Sequence, residues 1–280
     1  MRNALSIDVE DWYHDAARPG GAATAEEIAA VGSRVERNVD ALFEILDRHG
    51  TRATLFFLAD VAREHPSLVR RAIGLGHEIA CHGLLHRPVR GRAPRDLEDD
   101  VREARKIVED VGGSEVRGFR APYFLQPPDL WALDVLAAAG FAYDSSYMPL
   151  RYFPGDVPRL PGDGGPVRME SGIWEFPLPL SRLPSGHVLP SAAGGFSLRA
   201  LPFWITRKYL KRFNRDVGPT VVYTHPWEID PGSPKLPGTP GYVCWFNDVG
   251  RARMAAKIER LVSEFSFAPI AEVFADELAR

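Results

Sequence analysis

Two histidines, His82 and His86, stand in the stretch IACHGLLHRP (residues 79–88), with three residues between them. Three carboxylates, Asp8, Glu10 and Asp11, crowd into SIDVEDW (residues 6–12). On an extended strand Asp8 and Glu10 share a face. Acids crowded in this way raise one another's pKa unless a cation sits among them. Two imidazoles and a carboxylate around one ion leave positions open for water and substrate, which is the donor set of a catalytic metal. Each half has a plainer reading: the acids as a solvated turn, the histidines as polar loop residues. Taken together, acids and histidines favour a metal. In FRAPYF (residues 119–124), Arg120 can hold a carboxylate ionised through a bidentate pair, or be one half of an ordinary structural ion pair. Pro122 fixes the backbone just beyond it. His225, in YTHP, can act as a general acid or simply close the edge of a core strand.

The elements that must position these groups alternate between strand and helix. Short apolar strands are expected at 4–8, 53–58, 77–81, 116–120, 141–146 and 220–225. Helices are expected at 33–49, 67–76, 94–111, 128–140 and 248–265, with a short strand running into a helix at 267–278. Val35, Val39, Leu42, Ile45 and Leu46 recur at helical spacing, and Gly50 follows as a stop. This order predicts parallel strands joined by right-handed crossovers. It fits a closed or partly open (β/α) barrel of about seven strands, with a doubly wound open sheet as the alternative. In both, chemistry sits at the C-terminal ends of the strands, where Asp8, His82, Arg120, Asp144 and His225 fall. Residues 147–198 are rich in Pro and Gly, with a strand candidate at 172–178. They read as a long excursion over the barrel mouth, ordered by Tyr152, Phe153 and Trp174. Residues 227–247 form a second long loop.

The chain has 280 residues, 45% of them apolar, with 34 Lys plus Arg against 37 Asp plus Glu. That suffices for a sizeable core. The balance lacks the basic footprint a nucleic-acid partner requires and suits a neutral carbohydrate. Two cysteines, Cys81 and Cys244, are expected to be free thiols. No apolar run is long enough to span a membrane, and no secretory signal is visible, so a cytoplasmic location is expected.

The motifs D-x-E-D, H-x-x-x-H, R-x-P-Y, Y-D-S-S and a hydrophobic strand ending in His occur in that order between residues 4 and 226. In this the chain resembles the polysaccharide deacetylases, carbohydrate esterase family four, with the NodB homology domain. The details IDVEDW, GFAYDSS, GGFSLR and HPWEID resemble a subgroup associated with exosortase and exopolysaccharide loci, whose members carry an extra C-terminal segment. The resemblance implies a catalytic domain at 1–226, with 147–198 inserted, and an extension at 227–280 packed on it. It implies Asp8 as catalytic base, His82 and His86 as metal ligands, Arg120 as the group orienting the base, and His225 as general acid. The backbone N–H of Tyr123 would help bind the oxyanion. The usual pair of adjacent aspartates is here Asp-Val-Glu-Asp, so Glu10 is the expected metal carboxylate, with Asp11 as rival. Asp144 falls where the family places an acid near the catalytic histidine, within a shortened motif.

The implied reaction is metal-dependent hydrolysis of an acetamide on N-acetylhexosamine units, releasing acetate. Zinc is the expected metal, with cobalt, nickel or manganese as alternatives, because such an ion acidifies water toward neutrality. Trp12, Tyr123, Trp174 and Trp227 are expected to stack on sugar rings or to pack in the core. Should His225 not be the acid, Asp144, Glu175 and Glu228 are next in line. Two other readings stay open: an amidohydrolase of the same superfamily acting on a small cyclic amide or ureide, and a non-catalytic carbohydrate-binding relative.

Overall fold

A computed structural model of the chain describes residues 1–14, 23–148, 160, 164–182, 188–190, 192–235 and 238–280, with backbone alone for 180–182 and 188–190. Tyr152 and Phe153 lie outside the described residues. The strands are β1 (Arg2–Val9), β2 (Thr54–Phe57), β3 (Glu78–Cys81), β4 (Gly118–Phe119), β5 (Tyr143–Asp144), β6 (Val167–Arg168), β7 (Trp174–Glu175), β8 (Leu180–Arg182), β9 (Val188–Pro190), β10 (Val221–Thr224) and β11 (Ser266–Ala268).

The main sheet runs in the order β10-β1-β2-β3-β4-β5-β7-β6. Every pairing from β10 through β7 is parallel, and only β6 runs antiparallel to β7. From β1 to β5, each strand lies beside its neighbour in sequence. Right-handed crossovers that always step the same way put their helices on one face of the sheet. That arrangement makes a curled, barrel-like α/β sheet and excludes the doubly wound alternative, whose strand order must reverse. β11 completes the frame from the far end of the chain. Ala4 pairs with Val221 and also with Ala268, so β10 and β11 flank opposite edges of β1. β11 therefore shares an edge with β2, below the point where β2 begins.

Alternation along the strands separates two apolar layers. Leu5, Ile7, Val9, Leu55, Phe57, Ile79 and Cys81 face the surrounding helices in one large core. Ala4, Phe56, Ala80, Tyr143, Phe176, Val221 and Tyr223 line the inside, where Ile270 and Phe274 close it. Buried on both sides, these strands read as continuous apolar runs in the sequence. Helix Val35–Arg48 buries the predicted stripe of Val35, Val39, Leu42, Ile45 and Leu46. Helix Pro94–Gly112 opens on a proline and stops at Gly113 in the left-handed conformation, as proline and glycine favour at those positions.

The helices Phe203–Asp216 and Gly241–Asp248 stand outside the expected set. In the first, a threonine, Thr206, takes one of the four core positions beside Phe203, Leu210 and Phe213. Its hydroxyl donates to the Ala192 carbonyl at 2.7 Å, so the stripe is interrupted in the sequence though continuous in the packing. The second buries only Val243 and has no stripe to read. Both cysteines are free. No helix among the described residues is long and apolar enough to cross a membrane.

Candidate active site

β1 delivers Asp8 to the inner face and then ends, leaving Glu10 and Asp11 just beyond it. β3 ends at Cys81, and His82 follows, its N–H donating to the Phe57 carbonyl at 2.8 Å. Gly83 takes φ +90°, a conformation glycine adopts freely, and the chain turns so that His86 swings back toward His82. The Nε2 atoms of both histidines converge on one oxygen of Glu10, Oε1, at 2.9 Å and 3.0 Å. The three ligand atoms lie within 4.8 Å of one another.

The donor chemistry of this cluster fits a cation. His82 Nδ1 lies 2.8 Å from the Arg120 carbonyl, which can only accept, so Nδ1 carries the hydrogen. In the neutral imidazole, Nε2 then presents a lone pair to a carboxylate oxygen, and the contact is favourable only with a positive charge between or upon them. Burial opposes ionisation of Glu10, but the fields of His86 and His225 and hydrogen bonds from both histidines outweigh it and hold this carboxyl well below its usual range. Among the described residues, Glu10, His82 and His86 are thus the group able to hold a metal ion.

Asp11 points elsewhere. Its carboxylate accepts the backbone N–H of Trp12 at 2.7 Å, of Arg34 at 2.9 Å and of Val35 at 3.3 Å, and the Ser33 hydroxyl at 2.5 Å. These are orphan donors at the start of helix Val35–Arg48, whose own cap, Arg34, contributes no side-chain bond. A remote aspartate therefore caps this helix. The geometry gathers Glu10, and not its neighbour, with the histidines.

Beside the cluster lies a buried ion pair. Arg120 donates from Nη1 to Asp8 Oδ1 at 2.7 Å and to Ser6 Oγ at 2.8 Å. Its Nε donates to the Ser145 carbonyl at 2.7 Å and its Nη2 to Ser145 Oγ at 3.0 Å. The guanidinium rests on the Phe56 ring, 4.2 Å from its centroid. Fully buried and fixed at both ends of its fork, Arg120 holds Asp8 in one orientation. The other carboxylate oxygen, Oδ2, faces His225 Nε2 at 3.7 Å.

His225 is held from behind by residues that its own motif supplies. Its Nδ1 and its backbone N–H both meet Glu228 Oε2, at 3.2 Å and 3.1 Å, and its ring stacks on Trp227 with centroids 5.3 Å apart. Glu228 is fully buried and its Oε1 accepts Arg199 Nε at 3.0 Å. Burial works against the charge on His225, but Glu10, Glu228 and Asp8 together overcome it and raise its pKa from 6.5 to about 10. Glu228 is correspondingly held below its ordinary value: burial opposes its charge, and His225 and Arg199 prevail. The Arg199–Glu228 pair is a site feature that motif reading passes over, although GGFSLR contributes Arg199 and HPWEID contributes Glu228. The glycines of the first motif let the loop lie against β10: a Cβ on Gly194 would overlap the Tyr223 ring.

The remaining predicted residues are placed as follows. Asp144 meets Ser146 Oγ at 2.7 Å and Ser146 N at 3.0 Å and pairs in register with Glu175 on β7; no contact joins it to His225 among the described residues. Burial first, and Asp144's charge second, push Glu175 well above the carboxylate range, while burial raises Asp144. The two acids sit on adjacent strands, and burial favours the protonated form of each. Tyr123 stands against His86, ring centroids 4.5 Å apart, and is exposed at the mouth. Tyr123 and Phe124 both take φ +60°, a strained conformation for side-chain-bearing residues that costs about 1–3 kcal/mol each. Bonds from Phe124 N to the Ala121 carbonyl and from Leu125 N to the Ser146 carbonyl hold this loop in place. Trp12 is buried, its Nε1 bonded to the Gly32 carbonyl at 3.0 Å. Trp227 is buried beneath His225, and Trp174 is half-buried against Phe176. Trp12 and Trp227 therefore offer no open ring face to a sugar.

Residues 30–143 match the polysaccharide deacetylase family, and residues 145–275 match a domain of unknown function, DUF3473. Over 102 residues the chain is 32% identical to a chitooligosaccharide deacetylase of Sinorhizobium fredii; this is 36% of the chain and 45% of that relative, so less than half of the relative's length is spanned. A crystal structure of a Mycobacterium smegmatis protein, named provisionally as a polysaccharide deacetylase, superposes with a TM-score of 0.65 at 20% identity, covering 99% of this chain and 91% of that one. An allantoinase superposes at 0.61 with 13% identity over 99% and 89% of the two chains. At these identities the two structures establish the fold. The two family matches divide at residue 144, inside β5, yet β10 from the second pairs with β1 along the wall that carries Asp8. Residues 30–143 thus carry the match to the polysaccharide deacetylases, and the DUF3473 match that follows is built into the same sheet.

Proposed function

We propose that this protein is a metal-dependent N-deacetylase that hydrolyses the acetamide of N-acetylhexosamine units in a glycan, releasing acetate and leaving a free amine. The observation that carries the proposal is the convergence of three sets of groups at one end of the sheet: Glu10 with His82 and His86, Asp8 with Arg120, and His225 with Glu228. Similarity to chitooligosaccharide deacetylases over part of the chain supports the same substrate class. We take residues 1–226 as the catalytic unit and 227–280 as an extension packed upon it.

Glu10, His82 and His86 would hold a divalent ion, zinc by donor type. When bound, that ion acidifies water and polarises the acetamide carbonyl. Asp8, oriented by Arg120, takes the proton from the attacking water. The C–N bond breaks as His225 hands its proton from Nε2 to the departing nitrogen. Amines leave poorly unless protonated, and a positioned acid is worth about 10²–10⁴ in rate. Asp8 ends protonated and His225 neutral, and the 3.7 Å between them lets one proton return the pair to its starting state. Tyr123 lines the mouth beside His86.

The allantoinase fold match makes a small ureide the competing substrate. The test is acetate release from N-acetylchitooligosaccharides and peptidoglycan fragments, alongside ammonia or ureide turnover from small cyclic amides. Acetate from the glycans is expected; turnover of ureides alone would replace the proposal. His225→Ala should slow acetamide hydrolysis far more than hydrolysis of an activated acetyl ester, whose leaving group needs no proton. Equal losses on both would remove His225 from the acid role.

A further inference from the structure

Helix Gly241–Asp248 presents three large rings to solvent: Tyr242 is 73% exposed, Trp245 62% and Phe246 45%. Contiguous exposed aromatics of this size mark binding surfaces. Two of them are held against a third ring, Phe196. Phe246 lies parallel to Phe196, centroids 4.1 Å apart and planes 4° from parallel, and Trp245 meets the same ring edge-on at 6.4 Å. Val243 is buried beneath the helix. The last carbonyls of the helix are claimed by one arginine: Arg199 donates to the carbonyls of Phe246, Asn247 and Val249.

Arg199 also binds Glu228, the residue behind His225. Its guanidinium sits 5.7 Å from the Phe196 ring and 5.5 Å from the Trp227 ring, and Trp227 is stacked on His225. Each step from His225 through Trp227, Arg199 and Phe196 to Phe246 is under 6 Å, and Trp245 meets Phe196 edge-on. The helix also follows the segment that leaves the C-terminal end of β10, the end of the sheet where the proposed acid stands.

We propose that Phe196, Tyr242, Trp245 and Phe246 form a stacking ledge for pyranose rings of a glycan several sugars long, one or more units away from the acetamide being cut. This rests on the deacetylase reading above and specifies its substrate as an extended chain rather than a monosaccharide. A pyranose ring turns a row of C–H bonds, slightly positive, toward the negative face of an aromatic ring, while its hydroxyls stay in water. Fixed, solvent-facing rings without charge suit that contact. A lipid surface suits it less: anionic membranes recruit lysine and arginine, this helix has neither, and the neighbouring cations Lys235 and Arg251 are engaged with Asp248. A second copy of the chain suits it less too. Four partly buried rings, each of about 150–250 Å² in full, fall short of the ~800 Å² per partner of a stable interface.

The test compares Tyr242→Ala/Trp245→Ala with wild type on N-acetylchitopentaose and N-acetylchitobiose. Both side chains are exposed, so an unchanged melting temperature is the control for folding. The ledge predicts KM for the pentamer up about tenfold, with kcat and the dimer kinetics unchanged. Equal loss on both lengths, or no loss on either, overturns it. Binding of the pentamer, titrated by fluorescence or calorimetry, separates the ledge from the deacetylase reading. If wild type releases no acetate yet binds the pentamer and the variant does not, the ledge stands and the activity falls. If wild type fails to bind the pentamer, the ledge falls whatever the activity. It also falls if the substitutions instead abolish sedimentation with phosphatidylglycerol vesicles, or dissolve a dimer measured by light scattering.

Discussion

Oδ2 of Asp8 lies 3.7 Å from Nε2 of His225, with the opposite ends of the two groups tied back to Arg120 and Glu228. A base must be ionised and an acid protonated at the same moment, and two groups this close share one field. The negative charge of Asp8 favours the imidazolium, and the Arg120 contact fixes the carboxylate in place.

The acid limb of catalysis follows from that field. A histidine raised toward 10 keeps its proton at neutral pH, and activity is lost as pH climbs through its pKa. A cation at Glu10 opposes the Glu10 contribution, so in the loaded protein the limb lies below about 10. Glu228→Gln removes a negative charge and the strongest acceptor at Nδ1, which disfavours the imidazolium. The high-pH limb of kcat should therefore move to lower pH, with metal content unchanged. A limb that stays in place would show that Glu228 does not act on His225.

Asp11 and Glu10 separate cleanly by what each loses. Asp11→Ala strips the cap from helix Val35–Arg48 and should lower stability by about 1–2 kcal/mol in denaturant unfolding, with metal stoichiometry intact. Glu10→Gln should keep stability and weaken metal binding. Metal loss in the Asp11 variant with a normal Glu10 variant would exchange their roles.

Arg120 is fully buried, and without it Asp8 would be a buried charge lacking its partner. Arg120→Ala should cost about 3–5 kcal/mol of stability. Arg120→Lys keeps the charge and loses the fork that reaches Ser6, Asp8 and Ser145 together, so it should retain more of the fold than of the turnover. Unchanged unfolding midpoints for Arg120→Ala would contradict the ion pair's structural role.

The Asp144–Glu175 pair predicts a different pH effect. Glu175 has its pKa raised on folding, so the native state holds a proton the unfolded chain has released, and this contribution to stability declines as pH rises from 4.5 upward. Glu175→Gln imitates the protonated acid: its oxygen can still accept from Ser146 N and Tyr147 N, and its amide can donate to Asp144. The variant should melt higher than wild type at pH 8 and lose less stability between pH 5 and pH 8. A wild type whose melting temperature shows no such decline would contradict a raised Glu175.

Much of the catalytic end was legible in the sequence because each proposed group ends or follows a strand. Parallel strands buried on both faces are short apolar runs, so β1, β2, β3 and β10 announce themselves, and Asp8, His82 and His225 stand out where those runs stop. The groups behind them are hidden for a physical reason. Arg199 and Glu228 meet across 29 residues through a turn that only Gly194 and Gly195 permit, and nothing local records the pairing. Side-chain exposure is equally invisible to motif reading. Trp12 and Trp227 are buried, while Tyr242, Trp245 and Phe246 face water on a helix with one buried residue. Asp144 sits at the expected strand end, but its partner across the sheet is another acid rather than the histidine.

The central claim, a deacetylase site built on Glu10, His82 and His86, is tested most directly by measuring bound metal and acetate release on the same protein. Wild type reconstituted with zinc should hold one ion per chain and release acetate from N-acetylchitopentaose. Stripping the ion, or making Glu10→Gln or His82→Ala, should abolish both together. Acetate release that persists at full rate in the stripped protein, or in a variant with no bound metal, would contradict the account.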